Sequence, residues 1–97
     1  MKRRKEFIEF EWDKGNSGKN KKHNVEDSEA EEVFFDPRKV VTKDILRSGE
    51  ELRFILLGKT KRERLLYIVF TQRRNKIRII SARNINKKEV FLYEKTN

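Results

Sequence analysis

A chain of 97 residues, 42% charged and 35% hydrophobic, has material for one domain with one thin core. With 25 Lys and Arg against 16 Asp and Glu it carries +9, and having no cysteine it cannot build a disulfide framework, a Cys-based zinc site or an iron–sulfur cluster. Seven Phe, two Tyr and one Trp argue for a folded domain rather than a disordered chain, and the longest apolar run, Leu65 to Phe70, is far too short to span a membrane.

Residues 1–6 read as a basic tail and residues 7–97 as one domain. The opening Met1-Lys-Arg-Arg-Lys5 resembles the start of a signal peptide. Residues 7–12 alternate, however, and supply no apolar stretch behind it, so the expected location is the cytoplasm. Phe7 to Trp12 predicts a short strand. Asp13 to Lys22 is polar, contains Gly15 and Gly18, and is a weakly signalled helix. Asn24 then offers a cap, followed by the acids from Glu26 to Glu32, which suit the positive end of a helix dipole better than a metal site. Ala30, Val33 and Phe34 share the inner face of that helix, and Pro37 stops it.

Leu52 to Leu57, Leu65 to Thr71 and Ile77 to Arg83 predict three strands joined by polar turns short enough for antiparallel hairpins. Leu65-Leu-Tyr-Ile-Val-Phe70 is apolar on both faces and belongs at the centre of the sheet. The last element is a helix with Asn86 as N-cap and Glu89 three residues into it, a capping-box pair, with Ile85 and Val90 as the hydrophobic staple. Val90, Tyr93 and Phe91 are expected to turn toward the sheet. The sum is a small α+β domain, helices packed on one face of an antiparallel sheet.

Charge is blocked along the chain. Residues 52–97 hold 13 basic and three acidic groups, whereas residues 25–51 hold four and nine. Such a basic half suits a phosphate-rich partner, or a surface kept soluble by charge. Arg73 and Arg74 fall in the last hairpin turn, with Arg78 and Arg83 along the last strand; five apart in an unbroken strand, those two face opposite sides. Arg83 stands beside the N-terminus of the last helix, where a guanidinium and free N–H groups could hold a phosphate.

The one histidine, His23, can serve as general acid or base, or as an ordinary packing residue. A single His excludes a three-histidine zinc site, and Glu26 to Glu32 lack calcium-loop spacing. No Gly-x-Ser-x-Gly setting and no Gly-x-x-x-x-Gly-Lys loop occurs, so no metal or cofactor is expected. This inventory of cations with one His and two Tyr fits RNA cleavage in which the substrate's own 2′-OH is the nucleophile.

Phe10-Glu-Trp-Asp13, Asn20, Lys22-His23, Glu29-Ala30, Val33-Phe34 and Asp36-Pro37 resemble the first half of the BrnT toxin family. Glu51, Arg53-Phe54, Gly58, Leu65-Leu66, Thr71 and Arg73 resemble its middle, and Arg78-Ile-Ile-Ser-Ala-Arg83, Glu89 and Tyr93 its end. The resemblance implies a RelE-like fold and a metal-independent ribonuclease that arrests translation. It also implies a BrnA-type ribbon-helix-helix antitoxin as partner, in complexes that meet promoter DNA through that antitoxin. Carried over by position, His23, Arg73, Arg83 and Tyr93 are the expected catalytic residues. Lys22, Arg53, Lys76 and Arg78 are expected to bind substrate, and Glu51 is secondary. Glu26 and Asp27 stand where the family pattern has Ser and Phe, which removes an expected N-cap and a core aromatic. Two other readings stay open: a non-catalytic nucleic-acid-binding domain, and a degenerate toxin that only binds its antitoxin.

Overall fold

The computed structural model describes residues 8–46 and 48–96; the expected tail over residues 1–6 and Phe7 lie outside the described residues. The elements run β1 (Glu9–Phe10), a 3-10 turn (Lys19–His23), α1 (Asp27–Glu32), a second 3-10 turn (Val33–Phe35), β2 (Val40–Lys43), β3 (Arg53–Lys59), β4 (Leu65–Arg73), β5 (Lys76–Asn84) and α2 (Lys87–Thr96). They form one five-stranded sheet in the order β1-β5-β4-β3-β2, with the apolar β4 at its centre as expected.

The sheet is mixed, a correction to the expected antiparallel one. β2 to β5 form an antiparallel meander, but β1, joined to it through the 3-10 turns and α1, lies parallel to β5. Of the described residues in the strand predicted over 7–12, Glu9 and Phe10 pair with β5. The segment 13–22 is no α-helix. With two glycines and no apolar stripe it coils into turns and the 3-10 turn, Gly18 taking a φ of 67°. Strand β2 had no clear signature, being four residues directly after the Pro37 turn.

Alternation along the meander divides the sheet into two faces. Leu56, Leu66, Ile68, Phe70, Ile79 and Ala82 point to one face and pack against Val25, Ala30, Val33 and Phe34 of the N-terminal half. Phe34 meets Phe70 and Phe10 edge-on, with ring centroids at 5.0 and 5.2 Å. Gly58 lies beneath the second 3-10 turn, where a Cβ would come within 2.9 Å of Val33 Cβ and its carbonyl oxygen. The helices do not share one face: α2 lies on the other side, where its Glu89 holds Arg83 and its Tyr93 is buried. The C-terminal helix therefore covers part of the sheet that α1 leaves bare. Within α2, Val90 is half-buried as expected, but Phe91 is 63% exposed and turns to solvent.

The caps decide the helix starts. Asn86 and Glu89 close the predicted box reciprocally, each backbone N–H donating to the other's side chain at 2.9 Å. At α1 the N-cap is Glu26, whose N–H donates to Glu29 Oε1 at 3.2 Å, and not Asn24, which ends the preceding turn with a φ of 59°. Asp27, standing where the family pattern has an aromatic, accepts the Gly18 N–H with both carboxylate oxygens.

Candidate RNA-binding face

The feature that builds the site is a β-bulge. The two-residue turn at Arg74 and Asn75, with φ of 49° and 68°, sets Arg73 opposite Lys76 and Thr71 opposite Arg78. Beyond Phe70 the register slips by one, so that Val69 faces Ser81 and Tyr67 faces Arg83, with Ile80 as the extra residue. The slip overturns the expectation that Arg78 and Arg83 face opposite sides. Thr71 and Tyr67 share a face of β4, and so do their partners.

That face carries two cationic rows. Arg53, Thr71 and Arg78 lie in one row across β3, β4 and β5; Leu57, Tyr67 and Arg83 lie in another. Ile55, Val69 and Ser81 separate them. The rows stand four β4 residues apart, roughly 13 Å along the strand.

At the hairpin end Arg73, Lys76 and Arg78 are each paired with a carboxylate. Arg73 grips Glu51 with Nε and Nη2, the latter at 2.8 Å, and reaches Glu11 at 3.6 Å. Arg78 donates to both Asp13 oxygens at 2.8 and 3.0 Å and to Glu11 at 3.0 Å. Lys76 stands 3.9 Å from Glu9. The Arg78 guanidinium holds the Asp13 carboxyl below the usual carboxylate range, and Arg73 does the same to Glu51. Exposed pairs of this kind add little stability, but they fix the direction of each guanidinium.

At the other end Arg83 is held from three sides. Nη1 and Nη2 donate to Glu89 at 2.9 and 2.8 Å, and Nη1 also to the Asn84 carbonyl at 2.9 Å. Its Cζ lies 3.9 Å above the centroid of the Tyr67 ring. The bidentate bond from Arg83 holds the Glu89 carboxyl below its ordinary range, against a burial that would raise it. The anion expected beside the start of α2 is thus already present, as Glu89's own side chain.

Tyr93 lies two turns into α2, 5% exposed, its hydroxyl donating to Asp36 Oδ2 at 2.6 Å. Burial, then the bond to Asp36, push its phenol up to about 12. Asp36 is drawn the other way. Burial alone would raise it, but Tyr93 and the N–H groups of Arg38 and Lys59 outweigh that and hold it low.

The face thus gathers Arg53, Arg73, Lys76, Arg78, Arg83 and Glu51, with Tyr93 in the helix above one end. Lys22 and His23 lie apart, exposed in the 3-10 turn along β5. Their link to Arg83 runs through Arg64, which takes the Asn24 carbonyl at 2.6 Å, the His23 carbonyl at 3.4 Å and the Asn84 side chain at 2.9 Å. A groove between α1 and the β3–β4 turn contains none of the predicted site residues. Tyr67 escaped prediction because an unbulged hairpin would set it opposite Ala82. Arg64 and Asp36 escaped because their partners lie 20 to 57 residues away.

Fold and face together define a small basic α+β domain whose sheet presents oriented guanidinium groups, a surface suited to a phosphate-bearing partner. The chain belongs to the BrnT toxin family. The model of that family, described as the ribonuclease toxin BrnT of type II toxin–antitoxin systems, matches residues 12–89. None of the curated proteins compared with the chain matches it. The family implies an antitoxin partner and an RNA target. The match encloses every residue of the cationic face and stops short of Tyr93.

Proposed function

We propose that this chain is an endoribonuclease toxin that cleaves RNA without a metal ion and is silenced by a BrnA-type ribbon-helix-helix antitoxin, through which its complex meets promoter DNA. The observation that carries the reading is Arg83, fixed in plane and direction on a sheet face shared with Arg78. In the reaction the ribose 2′-oxygen bonds to the adjacent phosphorus and the bond to the 5′-oxygen breaks, leaving a 2′,3′-cyclic phosphate and a 5′-hydroxyl. Charge grows on the non-bridging oxygens, and guanidinium groups already oriented toward them stabilise it without reorganising.

Arg83 is the principal phosphate ligand in this scheme, with Arg73 and Arg78 guiding the strand and Arg53, Lys76 and Lys22 supplying further charge. Glu51 keeps Arg73 in place. His23, the only imidazole, is the candidate for moving a proton between the 2′-OH and the leaving oxygen. Tyr93, with a phenol near 12 bonded to Asp36, serves by fixing α2, and with it Glu89. The helices flanking a meander suit a RelE-like description of the fold. Translating RNA as the target places the activity in the cytoplasm; among the described residues no helix is long and apolar enough to cross a membrane.

The test is incubation of the purified protein with synthetic RNA in EDTA, scoring 2′,3′-cyclic phosphate ends, beside Arg83→Ala. Cleavage by the wild type, reduced by orders of magnitude in Arg83→Ala, supports the reading. RNA bound but never cleaved, in buffer or in a translating extract, would leave a nucleic-acid-binding domain instead.

A further inference from the structure

We infer that Tyr67 is a positioning residue: its ring seats the Arg83 guanidinium so that the Nε and Nη2 edge, left free beside the contacts made by Glu89 and Asn84, is presented to an RNA phosphate. The inference deepens the ribonuclease reading and rests on it. A guanidinium has five N–H groups in one plane. Three of those of Arg83 are used, two on Nη1 by Glu89 and the Asn84 carbonyl, and one on Nη2 by Glu89. The Nε–H and the second Nη2–H have no partner among the described residues. These two lie parallel along one edge, the fork that matches two oxygens of a phosphate.

Arg73 and Arg78 on the same face differ. The same edge of Arg73 is closed by Glu51, and Arg78 has both terminal nitrogens engaged on a side chain only 14% exposed. Arg83 is 39% exposed. Its end-on contacts with Glu89 fix where the guanidinium sits but leave its plane free to tip. The ring of Tyr67, 3.9 Å beneath, removes that freedom. Only the ring is needed, since the contact is to its face and not to its hydroxyl.

A double-mutant cycle tests this, using wild type, Tyr67→Leu, Tyr67→Phe, Arg83→Ala and Tyr67→Leu/Arg83→Ala. Two readouts are taken: cleavage in EDTA, and affinity for an uncleavable oligonucleotide with 2′-deoxyribose at every position. Tyr67→Leu should slow cleavage about 10- to 100-fold, the scale of a mis-set transition-state contact, while Tyr67→Phe, which restores the ring, stays within about threefold of wild type. On Arg83→Ala the Leu substitution should add nothing, because a residue acting through Arg83 has no effect without it. An equal loss on both backgrounds would make Tyr67 merely structural and overturn the inference, as would full activity of Tyr67→Leu. If the wild type cleaves nothing, the ribonuclease reading fails while affinity still judges the fork: weakening by Tyr67→Leu only where Arg83 is present supports it, and any other pattern overturns it.

Discussion

Asn20 reaches across 62 residues of sequence to accept the Ala82 N–H at 2.9 Å, just beyond the bulged Ile80. On the near side of the bulge Asn16 donates to the Ile79 carbonyl at 3.0 Å and to the Glu11 carbonyl at 2.9 Å. Two side chains thus continue along β5 the pairing that the two residues of β1 begin. They satisfy the buried edge of the strand and bracket the one position where its register slips. The shared face of Arg78 and Arg83 depends on that bracket.

Replacing Asn20 by Leu strands the buried Ala82 N–H and should cost about 1–3 kcal/mol. The Asn20 amide nitrogen is itself buried without a partner among the described residues, so its oxygen is the group that matters. Urea unfolding of Asn20→Leu measures the cost. An unchanged midpoint would mean that another acceptor serves Ala82 equally well.

Gly58 is fixed by the approach of Val33, whose Cβ and carbonyl oxygen would each lie 2.9 Å from an added methyl. Because one of those neighbours is backbone, the clash cannot be relieved by a rotamer change. Gly58→Ala should lower stability by about 1–3 kcal/mol. Thermal melting decides it, and a Tm at or above that of the wild type would show that the Val33–Phe35 turn can lift away freely.

The carboxyls of Glu89, Asp13 and Glu51 are all held low in the folded protein by their arginines. Groups with depressed folded pKa values stabilise above their unfolded value, near 4 to 4.5, and lose that contribution as pH falls through the folded one. Stability should therefore drop on acidification below about pH 5. Glu89→Gln should be weaker than wild type at pH 7 and lose less between pH 5 and 3. Parallel curves for the two proteins would contradict the assignment.

Tyr93 is expected to ionise only near pH 12, because burial and Asp36 both oppose a phenolate. Ultraviolet titration should show this late transition of Tyr93, moved to lower pH by Asp36→Asn. Tyr93→Phe removes the hydroxyl bond to Asp36 and should cost about 1 kcal/mol. A Tyr93 that titrates normally would detach α2 from its anchor.

The meander, its central strand and the start of α2 were readable because their signals are local: alternation, a short polar turn, and a cap three residues from its Glu. The family resemblance reached the arginines but not their arrangement. Whether Arg78 and Arg83 share a face turns on Ile80, and nothing around Ile80 announces a bulge; the groups that hold it are Asn16 and Asn20, in a segment that reads as a polar helix. The parallel pairing of β1 was hidden for the same reason, since its partner lies more than 60 residues on. The placement of α2 on the bare face depended on Arg83 pointing there, and so was hidden with the bulge.

The bracket on β5 also has a bearing on synthesis. Asn16 and Asn20 leave the ribosome 63 and 62 residues ahead of the positions they grip on β5, and Glu89 follows that strand. The hairpins of the meander are local enough to close as they emerge, but their bulge has to wait for the N-terminal loop to dock against a completed β5. A nascent chain therefore carries most of its arginines before it carries their alignment, and a message cut short within β5 ahead of Arg83 would yield a basic product with none of that geometry.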